Sequence, residues 1–277
     1  MPIENIPEIF FKDPKVQQDI FVYDFKMTRD VVKSKVNLSM NMFSFLQVGK
    51  KQVHFANTSK AVNSEQSLLL KKGNWLWTEL LDTEAIYYCK LFFFSEKKLT
   101  DFLSKYTKDV KPYQEKVPYF VIENDDYIAS FISSLSSITF EDSPYCDAIL
   151  ALKFDEILLY LLDKYGSEFE HYLHALISKE VSPFKNIVED HVHSNLKLEE
   201  IAFLCNMSLS TFKRHFTAEY KEAPGKWLKD KRLQKAKELL QGGDLKASDI
   251  YLDVGYNNLS NFSVAFKNKF GISPTEI

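Results

Sequence analysis

The last third of the chain contains one pattern twice, and this approximate duplication limits the possible folds more than any other feature. The first copy is LKLEEIAFLCNMSLSTFKRHFTAEY and the second is KASDIYLDVGYNNLSNFSVAFKNKFGISP. Each copy reads as a short helix, a tight turn and a second helix, which is helix-turn-helix spacing. The sequence therefore predicts an all-α unit with two such motifs at this end of the chain.

The first copy supplies the residue types that a helix-turn-helix needs. Ala202 lies where the two helices should cross, and its small side chain lets them approach each other. Asn206 stands at the turn position that usually takes a positive φ, which Asn tolerates better than most residues. Ser208 is the predicted N-cap of the second helix. The predicted core of this motif consists of Ile201, Leu204, Phe212 and Phe216.

The exposed face of each second helix carries the candidate DNA contacts, because a recognition helix reads base edges with residues near its N-terminus. Arg214 or Lys213 would offer paired donors to guanine O6 and N7. The second copy turns at Gly255, has a turn one residue longer, and should continue as a helix from about Asn258 to Phe270. The predicted DNA-binding residues are Ser208, Ser210, Thr211, Lys213, Arg214 and Thr217 in the first copy, and Asn258, Ser260, Asn261 and Lys267 in the second.

A spacer helix is predicted between the two copies, over APGKWLKDKRLQKAKELLQGG. Pro224 suits the first turn of a helix, and Gly242-Gly243 suits its end. Pro224 to Leu240 is 17 residues, which at about 1.5 Å each spans roughly 25 Å. With its flanking turns, this helix would hold two recognition helices about one DNA turn, roughly 34 Å, apart.

The region from Ile20 to Phe94 reads as β-structure, with short β-branched or aromatic runs separated by polar or glycine-containing turns. Such runs predict a barrel or jelly roll, with a hairpin at residues 48–51 and a turn at residues 71–74. After Ser95 the apolar spacing becomes helical. The predicted fold class is α+β, with a β-barrel or jelly roll and a helical segment over residues 1–180 and an all-α domain over residues 181–277.

Two apolar groups in the first domain each allow two interpretations. Five aromatic residues either line a cavity for a small ligand or pack an ordinary core. In the broad apolar helix after Pro144, four residues either form a dimer seam or cover the barrel. The aromatic group is Phe43, Phe45, Trp75, Trp77 and Tyr87, and the helical group is Phe154, Ile157, Leu158 and Leu161.

Composition and charge exclude several classes of protein. His54 is the only histidine before His171, so the strands cannot supply a three-ligand metal site; no catalytic residue, metal or cofactor is predicted. The net charge of -3 does not by itself indicate nucleic-acid binding. The three cysteines suit reduced core thiols. No apolar stretch reaches the roughly 20 residues of a membrane span, and the first residues lack the layout of a signal peptide, so a cytoplasmic location without membrane contact is expected.

The region from Ser182 to the end resembles the DNA-binding domain of the AraC/XylS transcription regulators. The matching stretches are LEEIAFLCNMSLSTFKRHF, the spacer positions Pro224, Trp227, Leu228, Arg232, Leu233, Ala236, Leu239 and Leu240, and then DIYLDVGY and NFSVAFKNKFGISP. The resemblance implies that both motifs enter successive major grooves of double-stranded DNA. The positions carried over are Ser210, Thr211, Lys213, Arg214, Ser260 and Asn261.

Two departures from the family pattern lie in the second copy. Tyr251 stands where Ala is usual, and Val264 stands where a basic residue often contacts DNA. We therefore expect weaker base reading by the second motif.

The first domain resembles the cupin-type sensor and helical dimerisation segment of such regulators. This resemblance implies a homodimeric activator that works with RNA polymerase and is controlled by a small molecule bound in the β-unit. The alternative is control by a regulatory protein partner. A cupin-type enzyme ranks last because the metal-ligating histidines are missing.

Overall fold

The structure, a computed structural model, describes residues 3–11, 18–55, 58–107, 118–136, 144–177, 183–194, 196–242 and 245–277. The chain divides into two compact units, one of residues 1–53 and 60–180 and the other of residues 54–59 and 181–277. The boundary predicted around residues 179–182 falls outside the described residues. Over the described part of the chain, no helix has the length and apolar character needed to cross a membrane.

Among the described residues, two five-stranded sheets form the body of the first unit, although residues 54–55 and 58–59 of two of their strands are assigned to the second unit. In spatial order the first sheet consists of β1 (Ile3–Ile6), β3 (Val31–Leu38), β8 (Gly73–Leu80), β5 (Lys50–Phe55) and β6 (Thr58–Val62). The second consists of β10 (Tyr119–Glu123), β7 (Gln66–Leu70), β4 (Asn41–Val48), β9 (Tyr87–Phe94) and β2 (Ile20–Met27). The strands β1 and β10 lie outside the predicted range of Ile20 to Phe94. Each is short and pairs with a strand that is distant in sequence, so no local hairpin pattern predicts it.

The predicted corners at Gly49 and Gly73 are places where the chain passes from one sheet to the other. β4 and β7 belong to the second sheet, whereas β5 and β8, which follow them, belong to the first. The predicted hairpin at residues 48–51 is therefore wrong, because β4 and β5 do not pair. Gly49 has a φ of 95°, and a Cβ there would lie 2.6 Å from the Leu80 carbonyl oxygen. This corner thus requires glycine.

The second sheet is buried on both faces. Met42 and Leu46 of β4 pack with residues of the first sheet. Phe43 and Phe45, which alternate with them along the same strand, pack on the opposite face. A sheet covered on both sides buries its strands on both faces, and this accounts for the continuous burial of residues 41–46 in β4 and 89–94 in β9.

Four helices cover the outer face of the second sheet: α1 (Glu96–Tyr106), α2 (Asp126–Ser136), α3 (Cys146–Tyr165) and α4 (Ser167–Ile177). Phe154 of α3 packs against Phe94, with ring centroids 5.1 Å apart. The four residues offered as a dimer seam, Phe154, Ile157, Leu158 and Leu161, are fully buried in this core. They cover the barrel, and the dimer-seam interpretation of these four side chains is wrong.

From Pro183 onwards the described residues of the second unit form helices and no strands, and the α+β fold class is confirmed. Its helices are α5 (Pro183–Asp190), α6 (Leu198–Leu204), α7 (Leu209–Tyr220), α8 (Pro224–Gln241), α9 (Ala247–Ile250) and α10 (Leu259–Phe270). The spacer helix α8 begins at Pro224 and ends before Gly242, as predicted. Gly243 lies outside the described residues.

Candidate nucleic-acid interface

The turns of the two helix-turn-helix motifs have the same backbone geometry. Asn206 and Gly255 adopt φ values of 56° and 81°, and the prediction of a positive φ at Asn206 is confirmed. In the first motif the Met207 N–H donates to the Ala202 carbonyl oxygen at 2.9 Å. The corresponding bond in the second motif joins Tyr256 to Tyr251, also at 2.9 Å. The duplication seen in the sequence is therefore a duplication of structure.

Each candidate recognition helix begins at a side-chain cap. The Ser208 hydroxyl accepts the Thr211 N–H at 3.2 Å at the start of α7. The Asn258 side-chain oxygen accepts the Asn261 N–H at 2.8 Å at the start of α10. The predicted cap at Ser208 is confirmed, and both caps satisfy N–H groups that a helix start otherwise leaves without a partner.

The outer face of α7 consists of four exposed polar side chains, which recur every three or four residues. Ser210, Lys213, Arg214 and Thr217 are all exposed, and this spacing places them on one side of the helix. Among the described residues, neither Lys213 nor Arg214 forms a side-chain hydrogen bond or an ion pair. Thr211 differs, because it is half-buried and its hydroxyl accepts a bond from Ser208 at 2.9 Å.

The outer face of α10 has the same arrangement with fewer charges. Ser260, Asn261 and Lys267 are exposed. Val264 occupies the position of Arg214, counted from the cap, and is 61% exposed. The second face thus presents an uncharged apolar side chain where the first presents a guanidinium.

Aromatic packing holds each recognition helix in place. Phe212 and Phe216 of α7 are fully buried, and Phe184 of α5 packs on Phe212 with ring centroids 5.6 Å apart. Trp227 of α8 contacts Phe216 at 5.5 Å. Leu204 is only half-buried. Phe184 and Trp227 are absent from the predicted core of this motif, although the aromatic spacing along α7 indicates a need for aromatic partners.

The second motif packs on the later part of the spacer helix. Phe262 and Phe266 are fully buried in a cluster with Leu233 and Ala236 of α8. Tyr251, at the position of Ala202, is half-buried at the edge of this cluster. Tyr251 thus packs against this cluster without full burial, whereas Ala202 at the equivalent position is buried.

The five aromatic residues offered either as the lining of one cavity or as ordinary core lie on opposite sides of the second sheet. Phe43 and Phe45 stack on each other and pack towards α2, where Phe45 lies 5.8 Å from Phe131. Trp75, Trp77 and Tyr87 lie between the two sheets. A single pocket lined by all five is therefore excluded, and the reason is the strict alternation of side chains along β4.

A buried charged cluster occupies part of the space between the sheets. The Lys51 ammonium lies 2.8 Å from Glu79 Oε1 and 3.7 Å from the centre of the Trp77 ring. The Tyr87 hydroxyl donates to the same Glu79 oxygen at 3.0 Å, and burial raises the pKa of Tyr87. The cavity beside Lys51 and Glu79 holds about 10 Å³, room for about one water molecule. Over the described residues, no group of three or more His, Cys, Asp or Glu side chains is placed to hold a metal ion.

Two family models match the chain. The ExsA N-terminal regulatory domain matches residues 41–172, and a helix-turn-helix domain matches residues 201–277. The second match contains both recognition helices.

Several curated regulators are similar to the chain. The virulence regulon transcriptional activator VirF of Yersinia enterocolitica is 26% identical over 57% of this chain and 59% of its own length. The regulator ExsA of Pseudomonas aeruginosa is 26% identical over 53% of each chain. The activator RhaS of Klebsiella pneumoniae is 32% identical over 32% of each chain. The chain thus spans less than two thirds of the length of these relatives.

Among solved structures, ToxT from Vibrio cholerae is 15% identical, covers 94% of this chain and 97% of its own, and has a TM-score of 0.43. The two family matches extend over the two units described above, and the second unit carries the paired helix-turn-helix geometry. By these matches the chain is similar to the AraC family of transcription regulators, and its residues 201–277 match a helix-turn-helix domain.

Proposed function

We propose that the chain is a sequence-specific transcription activator that reads DNA mainly through α7. The observation that carries this proposal is the exposed face of Ser210, Lys213, Arg214 and Thr217, which follows a capped helix start and a helix-turn-helix turn. Arg214 or Lys213 donates to guanine O6 and N7, while the small Ser210 lets the helix approach the base edges. Ser208 and Thr211 stabilise the start of the helix and lie close to the phosphates.

The second helix, α10, reads fewer bases. Asn261 can pair with adenine and Lys267 can contact a phosphate, but Val264 offers only apolar contact where Arg214 offers a charge. Asn258 and Ser260 lie at the helix start, where contacts to the DNA phosphates fix the position of the helix but carry no sequence preference. The 18 residues of α8, at about 1.5 Å each, span roughly 27 Å, which suits two adjacent major grooves.

The test is to select bound sequences from a random duplex pool with the intact protein, and then to measure affinity at one fixed salt concentration. Fixed salt is required because phosphate contacts make affinity fall steeply as salt rises. We expect an enriched site whose recognition weakens when Arg214 is replaced by Ala. Equal binding of selected and scrambled duplexes would reject the proposal.

The first unit controls the second, through a small molecule or through a regulatory protein. The packing between the sheets favours the protein partner, because Trp77, Tyr87, Lys51 and Glu79 fill the space that an enclosed ligand would need. A ligand-dependent rise in melting temperature of the intact chain would support the small molecule. A stoichiometric protein that co-purifies with the chain and alters its DNA binding would support the partner.

The chain acts as a homodimer and, as an activator, contacts RNA polymerase. The dimer proposal rests on the outer side of α3, where three apolar side chains recur every seven residues. Tyr145, Leu152 and Leu159 are 69%, 71% and 39% exposed. A seven-residue apolar repeat on one side of a helix is the pattern of a helix–helix seam. Phe154 and its buried neighbours point the other way, into the barrel core.

A further inference from the structure

Arg232 joins three separate segments of the second unit. This residue lies on α8, and its Nε donates to the Val192 carbonyl oxygen at 2.8 Å. Its Nη2 donates to the Ser194 carbonyl oxygen, and its Nη1 donates to the Gly255 carbonyl oxygen at 3.4 Å. One guanidinium on the spacer helix therefore contacts the segment before the first motif and the turn of the second motif at the same time.

The acceptors lie in two segments that are separated in the sequence by the first motif and α8. Val192 and Ser194 lie between α5 and α6, in the segment that leads into the first motif. Gly255 is the positive-φ residue of the turn in the second motif. Because α8 separates the motifs in sequence, a contact that bridges them fixes how one is rotated relative to the other.

The backbone at Gly255 approaches this bridge closely. A Cβ on Gly255 would lie 2.7 Å from the Ser194 carbonyl oxygen and 2.9 Å from Arg232 Nε. The second turn therefore packs directly on both the guanidinium and the first segment, with no space for a side chain. The first turn has Asn206 at the equivalent position, so a positive φ alone does not explain the glycine.

A buried guanidinium is a costly way to obtain packing alone. Burial lowers the pKa of Arg232, and the three acceptors are peptide carbonyls rather than a carboxylate. A buried charge without an opposite charge adds little to stability compared with an apolar side chain of similar size. What the planar guanidinium supplies is direction, because its donors diverge in a fixed fork.

We propose that Arg232 is a positioning residue that sets the spacing and rotation of α7 relative to α10, and so selects the distance between the two halves of the DNA site. This inference rests on the proposed function, in which both helices enter the major groove. Each motif keeps its own aromatic core without Arg232, since Phe212 and Phe216 serve the first and Phe262 and Phe266 serve the second.

The test uses the full chain with Arg232→Met and measures affinity for three duplexes. One carries both halves of the selected site, one carries only the half read by α7, and one carries both halves separated by two additional base pairs. The control is Lys235→Met, which removes an exposed charge from the same helix. We expect Arg232→Met to bind the single half with an affinity within about threefold of wild type. The ratio of its affinity for the complete site to that for the single half should fall at least fivefold. The insertion of two base pairs should reduce its affinity by a smaller factor than it does for wild type. Lys235→Met should keep both preferences.

Two results would overturn the inference. In the first, Arg232→Met keeps both the wild-type preference for the complete site over the single half and the wild-type loss of affinity caused by the insertion. In the second, its affinity for all three duplexes falls by the same factor. If Arg232→Met does not melt cooperatively, Arg232→Lys replaces it, since it keeps the charge and loses the fork. Arg232→Lys should show a reduced insertion penalty, and a penalty equal to that of wild type contradicts the inference. A wild-type chain that prefers none of the duplexes over scrambled DNA rejects the proposed function, and the inference with it.

Discussion

Single residues decide how much each motif contributes to base reading. Arg214 and Val264 lie at the same distance from their helix caps, and both side chains are exposed. The two helices otherwise share cap type, turn geometry and buried aromatic spacing. The difference between a guanidinium and an isopropyl group is therefore the clearest source of unequal recognition.

Replacing each of these two residues by Ala forms a matched pair. We expect Arg214→Ala to weaken specific binding by at least tenfold, because a paired contact to guanine accounts for about 1–3 kcal/mol of discrimination. Val264→Ala should keep an affinity for the specific duplex within about threefold of wild type. Affinity for the selected duplex and for single-base variants, measured at constant salt, provides the comparison. Equal losses in the two variants would contradict the assignment of α7 as the main reading helix.

Gly255 is expected to be more sensitive than Gly271, although both adopt a positive φ near 80°. A Cβ at Gly271 would have no atom within 4 Å. Gly271→Ala should therefore lower the unfolding free energy by about 1 kcal/mol, from backbone strain alone. Gly255→Ala also clashes with the Ser194 carbonyl oxygen and should cost about 3 kcal/mol. Denaturant unfolding of both variants tests this order. Similar losses would show that the close approach at Gly255 is unimportant.

The lowered pKa of His193 should make the stability of the second unit depend on pH. Burial, followed by the positive charges of Lys235 and Arg232, lowers the pKa of His193 in the folded chain. An unfolded histidine titrates near pH 6.5, so below that pH the unfolded chain binds a proton that the folded chain resists. The stability present above about pH 6.5 is therefore lost as the pH falls further. Unfolding free energies between pH 7.5 and 5.5 should decrease, and His193→Gln should reduce that slope; the same slope in both proteins would contradict this.

At the scale of elements, the sequence predicted best what depends on neighbouring residues. The cap at Ser208, the positive φ at Asn206 and the limits of α8 follow from local chemistry, and all three are confirmed. The side chain of Phe45, in contrast, packs on α2, which is distant in sequence. A strand buried on both faces carries no alternation to indicate which neighbour each side chain meets.

Long-range pairing explains the remaining errors in the first unit. The strand β10 joins β7 about 50 residues earlier in the chain, and the corner at Gly49 leads into the other sheet rather than into a hairpin. A glycine between two β-like runs predicts a turn, but it does not determine which strands pair. The candidate DNA-reading residues, in contrast, follow directly from helix periodicity and stay predictions until binding is measured.

The outer side of α3 is expected to mediate dimer formation. Leu152→Asp places a charge in the centre of the proposed seam, where a second copy would bury it without a partner. We expect the dimer to dissociate at concentrations where wild type remains dimeric, as measured by sedimentation. Val32→Asp, at a residue 55% exposed on β3, is the matched control and should not change the oligomeric state. A Leu152→Asp chain that sediments like wild type would exclude this face as the seam.

At the scale of the whole molecule, the two units present their charged side chains differently. The first encloses its charged cluster of Lys51 and Glu79 between two sheets, whereas the second exposes Lys213 and Arg214. The small net charge of -3 conceals this difference. The proposed DNA recognition therefore depends on where a few cations are presented rather than on their total number.

Unbiased selection of duplexes by the intact protein, repeated with Arg214→Ala, tests whether α7 is the main reading helix. We expect two enriched blocks whose centres lie about 10 base pairs apart, with the stronger block losing its base preference in the variant and the weaker block keeping it. Selection that enriches no sequence, or that returns the same two blocks at the same strength with Arg214→Ala, would exclude this role of α7.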